Sequence, residues 1–313
     1  MQILAFALFA VGLLILVSGG YVFWVACRRM KEHPWLEPEK LKGTGYEKYA
    51  QHIQNSARWL KEHNARDVYV ESHDGYRLHG LWIPAKNPKG TVLLAHGYRS
   101  TVLVDFGLIY DVYYKLDMNL LVPEQRCHGK SEGRFITFGV KESKDMQMWI
   151  DYHNRNFGSK QMIISGLSMG ASTMMYLADQ QLPENVKGIV VDCGFTSAAA
   201  ILSKVFTSVT HLPAAPTIFA ANLFAKLFAG FSLYEKDSRK TLSKSRLPIL
   251  MVHGLKDDFV PASMTQEGFD ACSSEKELLM IENAGHGLSF VKQPEQYQAA
   301  LKGFLNRYLE DMA

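Results

Sequence analysis

The sequence predicts an α/β fold: a mostly parallel central sheet flanked by helices, with an inserted helical cap and a preceding transmembrane helix. Three observations carry this. From Asp67 onward, short β-branched or apolar runs alternate with helix-like segments, as the crossovers of a parallel sheet require. The alternation pauses once, between Thr196 and Arg246. The first element, Ile3 to Cys27, is apolar and carries no charge.

That first element, as a helix, is about 37 Å long, enough to cross a hydrocarbon core of about 30 Å. Arg28, Arg29 and Lys31 follow at once, Tyr21 and Trp24 lie near the boundary, and no Lys or Arg precedes. The positive-inside rule then predicts a single pass through the cell membrane, N-terminus outside and the bulk of the chain in the cytoplasm. A secretory leader would carry a positive n-region and a shorter apolar core, so residues 1–31 are expected to be a retained anchor, with a cleaved export segment as the alternative. Residues 32–66 read as a polar, helical linker, and a chain beginning near Glu37 is expected to stay active.

Next, Asp67–Glu71 and Tyr76–Ile83 read as strands joined by a turn at Asp74-Gly75. Thr91–Ala95, Asn119–Pro123, Gln161–Ser165, Val186–Val191, Pro248–Val252 and Leu278–Ile281 read as buried strands. Val102–Leu116, Val140–Asn156 and Tyr297–Leu309 read as helices. Residues 67–195 and 247–313 thus form the two parts of one core, and 196–246 the cap. Within the cap, Val205 to Leu233 holds one charge, Lys226, and a surplus of aromatics: Phe206, Phe219, Phe224, Phe228 and Phe231. Beyond packing the cap itself, these leave room for a greasy substrate pocket.

The 313 residues, 47% hydrophobic and 21% charged, suffice for one large α/β domain with an insertion. A net charge of +3 with scattered Lys and Arg argues against a nucleic-acid partner. The four cysteines, Cys27, Cys127, Cys193 and Cys272, form no C-x-x-C pair and no metal spacing, which suits a reducing compartment. No cofactor or metal is expected, and nothing in the sequence indicates an oligomeric state.

The chemistry centres on Gly166-Leu-Ser168-Met-Gly170, between a strand-like run and a helix-like run. A G-x-S-x-G element there forms a sharp turn with its serine in strained geometry and its hydroxyl projecting from the strand end. Glycines belong two residues either side because side chains would collide. The amide of Met169, first in the helix, then points to where an oxyanion would form. By chance the pattern arises in roughly one chain in ten of this length, so its weight depends on the partners. Asp257 and His286 each follow an apolar run, where loops leave the carboxyl edge of the sheet and ligands bind. The acid has two alternatives, Asp258 beside it and Asp192 at the end of the preceding strand. His96, His128 and His253 read as structural, and His52, His63 and His153 as surface residues.

From about Val68 to Leu309 the chain resembles the α/β-hydrolases, in their serine esterase, lipase and aminopeptidase-like branch. The resemblance rests on His96-Gly97-Tyr98, Gly166-Leu-Ser168-Met-Gly170, His253-Gly254-x-x-Asp257 and Gly285-His286, and on the order serine, acid, histidine. Glu124-Gln-Arg126-Cys-His128-Gly129-Lys-Ser131 resembles that branch's D-x-R-G-x-G-x-S segment, with Glu for Asp and Cys127 for a Gly, and reads as structural. The resemblance implies Ser168 as nucleophile, His286 as base, Asp257 as its orienting acid, and the amides of Tyr98 and Met169 as the oxyanion hole. The expected activity is hydrolysis of carboxylic, acyl or lipid-like esters through an acyl-enzyme. A peptidase or amidase using the same residues is the alternative, and a silent binding module a distant third. The expected partners are a small-molecule ester and the membrane.

Overall fold

The structure, a computed structural model, describes residues 1–30, 50–107, 109–158 and 160–310. Its first helix, α1 (Gln2–Cys27), has no buried residue from Gln2 to Val17, whereas Gly19, Phe23 and Cys27 are buried. Lys31 and the first part of the expected linker lie outside the described residues. The remainder is α2 (Ala50–Glu62), which buries Ile53, Ser56 and Leu60. β1 (Arg66–Glu71) and β2 (Arg77–Ile83) pair antiparallel. Gly75 takes a φ of +83° in the turn between them, a conformation glycine adopts without steric cost.

β3 (Gly90–Ala95) leads to two short helices, α3 (Val102–Phe106) and α4 (Tyr110–Lys115), where the sequence suggested one. The break falls beside Gly107, against which α2 presses: a Cβ at Gly107 would lie 1.7 Å from Ser56 Oγ. Then come β4 (Met118–Pro123), α5 (Val140–Phe157), β5 (Met162–Leu167), α6 (Met169–Met175) and β6 (Val186–Asp192). The insertion follows, with α7 (Ala198–Thr210), α8 (Ala215–Phe224) continued by a π-helical turn (Ala225–Ala229), and α9 (Ser238–Leu242). β7 (Ile249–Gly254), α10 (Ala262–Ala271), β8 (Lys276–Ile281), α11 (Ser289–Lys292) and α12 (Pro294–Tyr308) complete the chain.

Among the described residues the strands form one eight-stranded sheet in the order β1-β2-β4-β3-β5-β6-β7-β8. β2 runs antiparallel to β4, and from β4 onward every pairing is parallel. Helices cover both faces, so the central strands are apolar on both sides. On one face Val102, Phe106, Tyr110, Tyr113, Leu301 and Phe304 pack on the sheet. On the other, Met146, Trp149, Ile150, Met174 and Leu242 do so.

A third cluster was not legible in the sequence. Phe23 and Cys27 of α1 are buried with Phe138, Met169, Phe195, Ile218 and Phe231. A Cβ at Gly19 would lie 2.4 Å from Ala220 Cβ, and Ser18 Oγ is 3.1 Å from Thr217 Oγ1. Phe23 meets Phe135, Phe224 and Phe228 at ring-centroid distances of 5.2, 6.5 and 6.2 Å. The end of α1 is bound as well: Ile136 N–H donates to the Cys27 carbonyl at 2.6 Å, and Arg29 donates to the carbonyls of Ser131 and Gly129 at 2.6 and 2.8 Å. The last turns of α1 are therefore part of the domain core. Part of the insertion's aromatic surplus packs against this helix.

Candidate active site

The turn between β5 and α6 sets Ser168 at φ +55° and ψ −116°, a strained conformation for a residue with a side chain. Its flanks explain the glycines. A Cβ at Gly166 would lie 2.3 Å from the carbonyl carbon of Gly170, and one at Gly170 would lie 1.8 Å from the Ala95 carbonyl oxygen. The Ser168 N–H donates to the Asp192 carbonyl at 2.9 Å, which couples the turn to β6.

The structure brings Ser168, His286 and Asp257 together. His286 Nε2 is 2.9 Å from Ser168 Oγ and its Nδ1 is 2.7 Å from Asp257 Oδ2. Asp257 Oδ1 accepts the N–H groups of Phe259 and Val260 at 2.9 and 2.8 Å. Burial alone would raise the Asp257 pKa, but hydrogen bonds to His253 and His286 outweigh it and hold the carboxyl well below its ordinary range. An acceptor at Nδ1 keeps the proton there and leaves Nε2 free to accept from the serine.

The alternative acids are placed differently. Asp258 is exposed. Asp192 is buried and accepts from Ser289 Oγ at 2.9 Å, and burial pushes its carboxyl up to about 6.

The amides of Tyr98 and Met169 have no hydrogen-bond partner among the described residues. The loop carrying Tyr98 runs close to the nucleophile: a Cβ at Gly97 would lie 3.3 Å from Ser168 Cβ. Asp105, on α3, holds that loop by accepting the Gly97 N–H at 2.6 Å and the Ser100 hydroxyl at 2.5 Å. No motif marks Asp105, and only the packing of α3 beneath the loop brings it there.

A cavity of about 480 Å³ reaches Ser168 and His286. Its apolar wall is built by Phe106, Ile109, Leu167, Leu288, Phe290 and Val291. Among its lining residues none comes from the insertion, so the pocket expected from the insertion's phenylalanines is formed instead by α3, α11 and the loops around them. His52 of α2 lines the same cavity, with Nε2 3.3 Å from the Val104 carbonyl oxygen. It is half-buried rather than on the surface as the sequence suggested. His153 is likewise buried, 2.9 Å from Thr91 Oγ1, because it faces the sheet from the inner side of α5.

Cys193, Asp257 and His286 also lie close enough to share an ion. Both nitrogens of His286 are engaged, and burial pushes the Cys193 thiol up, away from the thiolate a metal needs. The donors present therefore suit proton transfer between Ser168 and His286 better than metal ligation.

The prolyl oligopeptidase family matches residues 137–312, just over half of the chain, and that stretch contains Ser168, Asp257 and His286. The chain belongs to the prolyl oligopeptidase family. It is similar to YqkD of Bacillus subtilis, 26% identical over 238 residues covering 76% of this chain and 78% of YqkD. It is also similar to the membrane protein YNL320W of Saccharomyces cerevisiae, 21% identical, with 75% and 77% covered. Its fold matches that of the Pyrococcus furiosus esterase Pf2001 with a TM-score of 0.66 at 22% identity, over 80% of this chain and 94% of that one. The chain is a hydrolase with the α/β-hydrolase fold.

In this family member the segment from Glu124 to Ser131 braces the sheet edge. Glu124 Oε2 is 2.7 Å from His79 Nδ1 and accepts the Lys130 N–H at 2.7 Å. Arg126 is buried between Asp145 and Asp74, with hydrogen bonds of 2.6 to 3.1 Å. Cys127 stands at φ +67°, the left-handed geometry that explains the usual Gly. His96 is structural as expected, its Nε2 accepting the Gln125 N–H at 3.0 Å. His253 does more than hold the fold: its Nε2 is 3.2 Å from Asp257 Oδ2 and its Nδ1 2.7 Å from Thr265 Oγ1.

Proposed function

We propose that the chain is a membrane-anchored serine hydrolase that cleaves carboxylic esters with apolar acyl groups through an acyl-enzyme on Ser168. The observation that carries this reading is the Ser168–His286–Asp257 hydrogen-bonded series opening into a cavity with an apolar wall. His286 Nε2 takes the hydroxyl proton as Ser168 attacks the ester carbonyl. Asp257 stabilises the imidazolium that forms. The amides of Tyr98 and Met169 donate to the developing oxyanion, an arrangement worth about 3–4 kcal/mol per donor in related chemistry. His286 returns the proton to the leaving alcohol and then activates the water that releases the acid.

α1 is read as the anchor, its free part apolar on all sides as a bilayer-facing helix must be, with the hydrolase domain in the cytoplasm. The likeness to a yeast membrane protein supports the membrane assignment. Residues 32–66 are then the linker, and 196–246 the cap.

A peptidase or amidase is the second reading, favoured by membership of the prolyl oligopeptidase family. Labelling with a fluorophosphonate, then turnover of p-nitrophenyl esters of rising acyl length against aminoacyl anilides, tests both. Labelling at Ser168 with faster ester turnover supports the first reading. Faster anilide turnover replaces it with the second, and no labelling removes both.

A further inference from the structure

We propose that the exposed apolar face of the α7–α8 insertion is a second membrane-contacting surface, immersed in the leaflet from which α1 emerges. The inference rests on α1 being a membrane span, and the lengths within that helix lead to it. The stretch of α1 without a buried residue, Gln2 to Val17, is about 24 Å long at about 1.5 Å per residue. A hydrocarbon core needs about 30 Å. The missing length is about four more residues, Ser18 to Tyr21, and the first three of these pack against the insertion. Ser18 meets Thr217, Gly19 meets Ala220, and Gly20 approaches the ring of Phe224. A complete span therefore carries the first turns of α8 to the depth of Ser18–Tyr21.

The surface of the insertion suits that position. Phe219, Leu223 and Leu227 recur at four-residue spacing and are exposed, as are Phe228 and, at the α7–α8 connection, Val209 and Leu212. In water this is an uncovered apolar face of the kind that marks a docking surface. It is continuous with the apolar surface of α1 through the Phe23–Phe224–Phe228 stack. Between Cys193 and Tyr234 the charged residues are Lys204 and Lys226, with no Asp or Glu. Two cations beside an apolar face complement anionic headgroups at the interface. The one polar pair at the α1–α8 contact, Ser18 with Thr217, is satisfied internally, as burial away from water requires.

The experiment uses the full chain in vesicles of phosphatidylcholine and phosphatidylglycerol. The four native cysteines are buried, so single exposed cysteines can be labelled with an environment-sensitive fluorophore. Three variants are compared: Leu8→Cys on the free part of α1, Leu223→Cys on the insertion, and Lys302→Cys on α12. Lipids brominated along the acyl chain are expected to quench the probes at positions 8 and 223 and leave that at 302 unchanged. Quenching at 8 without quenching at 223 overturns the immersed insertion while α1 remains a span. Quenching at neither overturns the span and the inference with it. Disulfide cross-linking between copies through Leu223→Cys, without quenching, assigns the face to a second copy instead and also overturns the proposal.

Discussion

The phenolic hydroxyl of Tyr98 donates to the main-chain carbonyl of Ala26 at 2.8 Å. The residue whose amide is proposed for the oxyanion hole is thereby tied to the last turn of the N-terminal helix. Burial raises the phenol's pKa, so it keeps its proton and remains the donor. The ring stacks on Phe138 at 5.2 Å, which fixes the loop from the other side. Tyr98→Phe keeps the ring and removes the bond. It is expected to cost about 1 kcal/mol of stability. It should also lower kcat on the order of tenfold, less than the loss of an oxyanion donor, with KM unchanged. Steady-state kinetics on a short p-nitrophenyl ester check this, and an unchanged kcat removes the positioning role.

Ser168→Ala deletes one hydroxyl and leaves the tight turn intact. Fluorophosphonate labelling should vanish and turnover fall by about five to six orders of magnitude, with the melting temperature kept near that of the parent. Labelling that persists at another serine, located by mass spectrometry, moves the nucleophile.

Three aspartates compete for one role, and the geometry ranks them. Asp257→Asn should lower kcat by about 10⁴, because the amide favours the wrong imidazole tautomer. Asp258→Asn, at an exposed position, and Asp192→Asn should each leave kcat within about tenfold of the parent. A reversed ranking in parallel kinetic assays would reassign the acid.

Asp192 makes a separate, pH-dependent prediction. Its carboxyl rises on folding from an ordinary 3.8 to about 6, chiefly through burial. The native state then holds that proton more tightly than the unfolded chain, so raising the pH through this window destabilises the fold. The loss is on the order of 3 kcal/mol and is complete above the folded value. Asp192→Asn cannot titrate. Its stability relative to the parent should therefore improve by that amount between about pH 4 and pH 7. Urea unfolding at a series of pH values measures it, and a flat difference refutes the raised carboxyl.

The α1–α8 contact has little slack at Gly19, where even a Cβ would meet Ala220. Gly19→Leu should separate the helices and cost about 1–3 kcal/mol, as overpacking does. A chain beginning near Glu37 should lose more, because it bares Phe135, Phe224 and Phe228 and deprives Tyr98 of its acceptor. Thermal unfolding and ester turnover of both variants, compared with the full chain in the same detergent, check this. A truncated chain as stable and active as the parent would restore α1 to a detachable tether.

What could be read along the chain is what neighbouring residues impose on one another. The sharp turn at Ser168 is legible because two glycines must flank a serine in a turn that leaves no room for Cβ atoms. The strands are legible because a parallel sheet covered on both faces needs continuous apolar runs, and the long apolar N-terminal helix because its length and composition lie within one segment. The order of Ser168, Asp257 and His286 follows from the order of the strands that carry them. Other features depend on residues distant in the chain. Choosing Asp257 over Asp192 and Asp258 required the position of His286, and the roles of Asp105 and His253 required the packing of α3 and α10. The phenylalanines of the insertion have a composition that would serve a substrate pocket or a helix interface equally well. Only the fold, by setting Ser18 against Thr217 across 199 positions, turned Phe224 and Phe228 toward α1, because burial rewards whichever apolar surface the tertiary structure brings within reach.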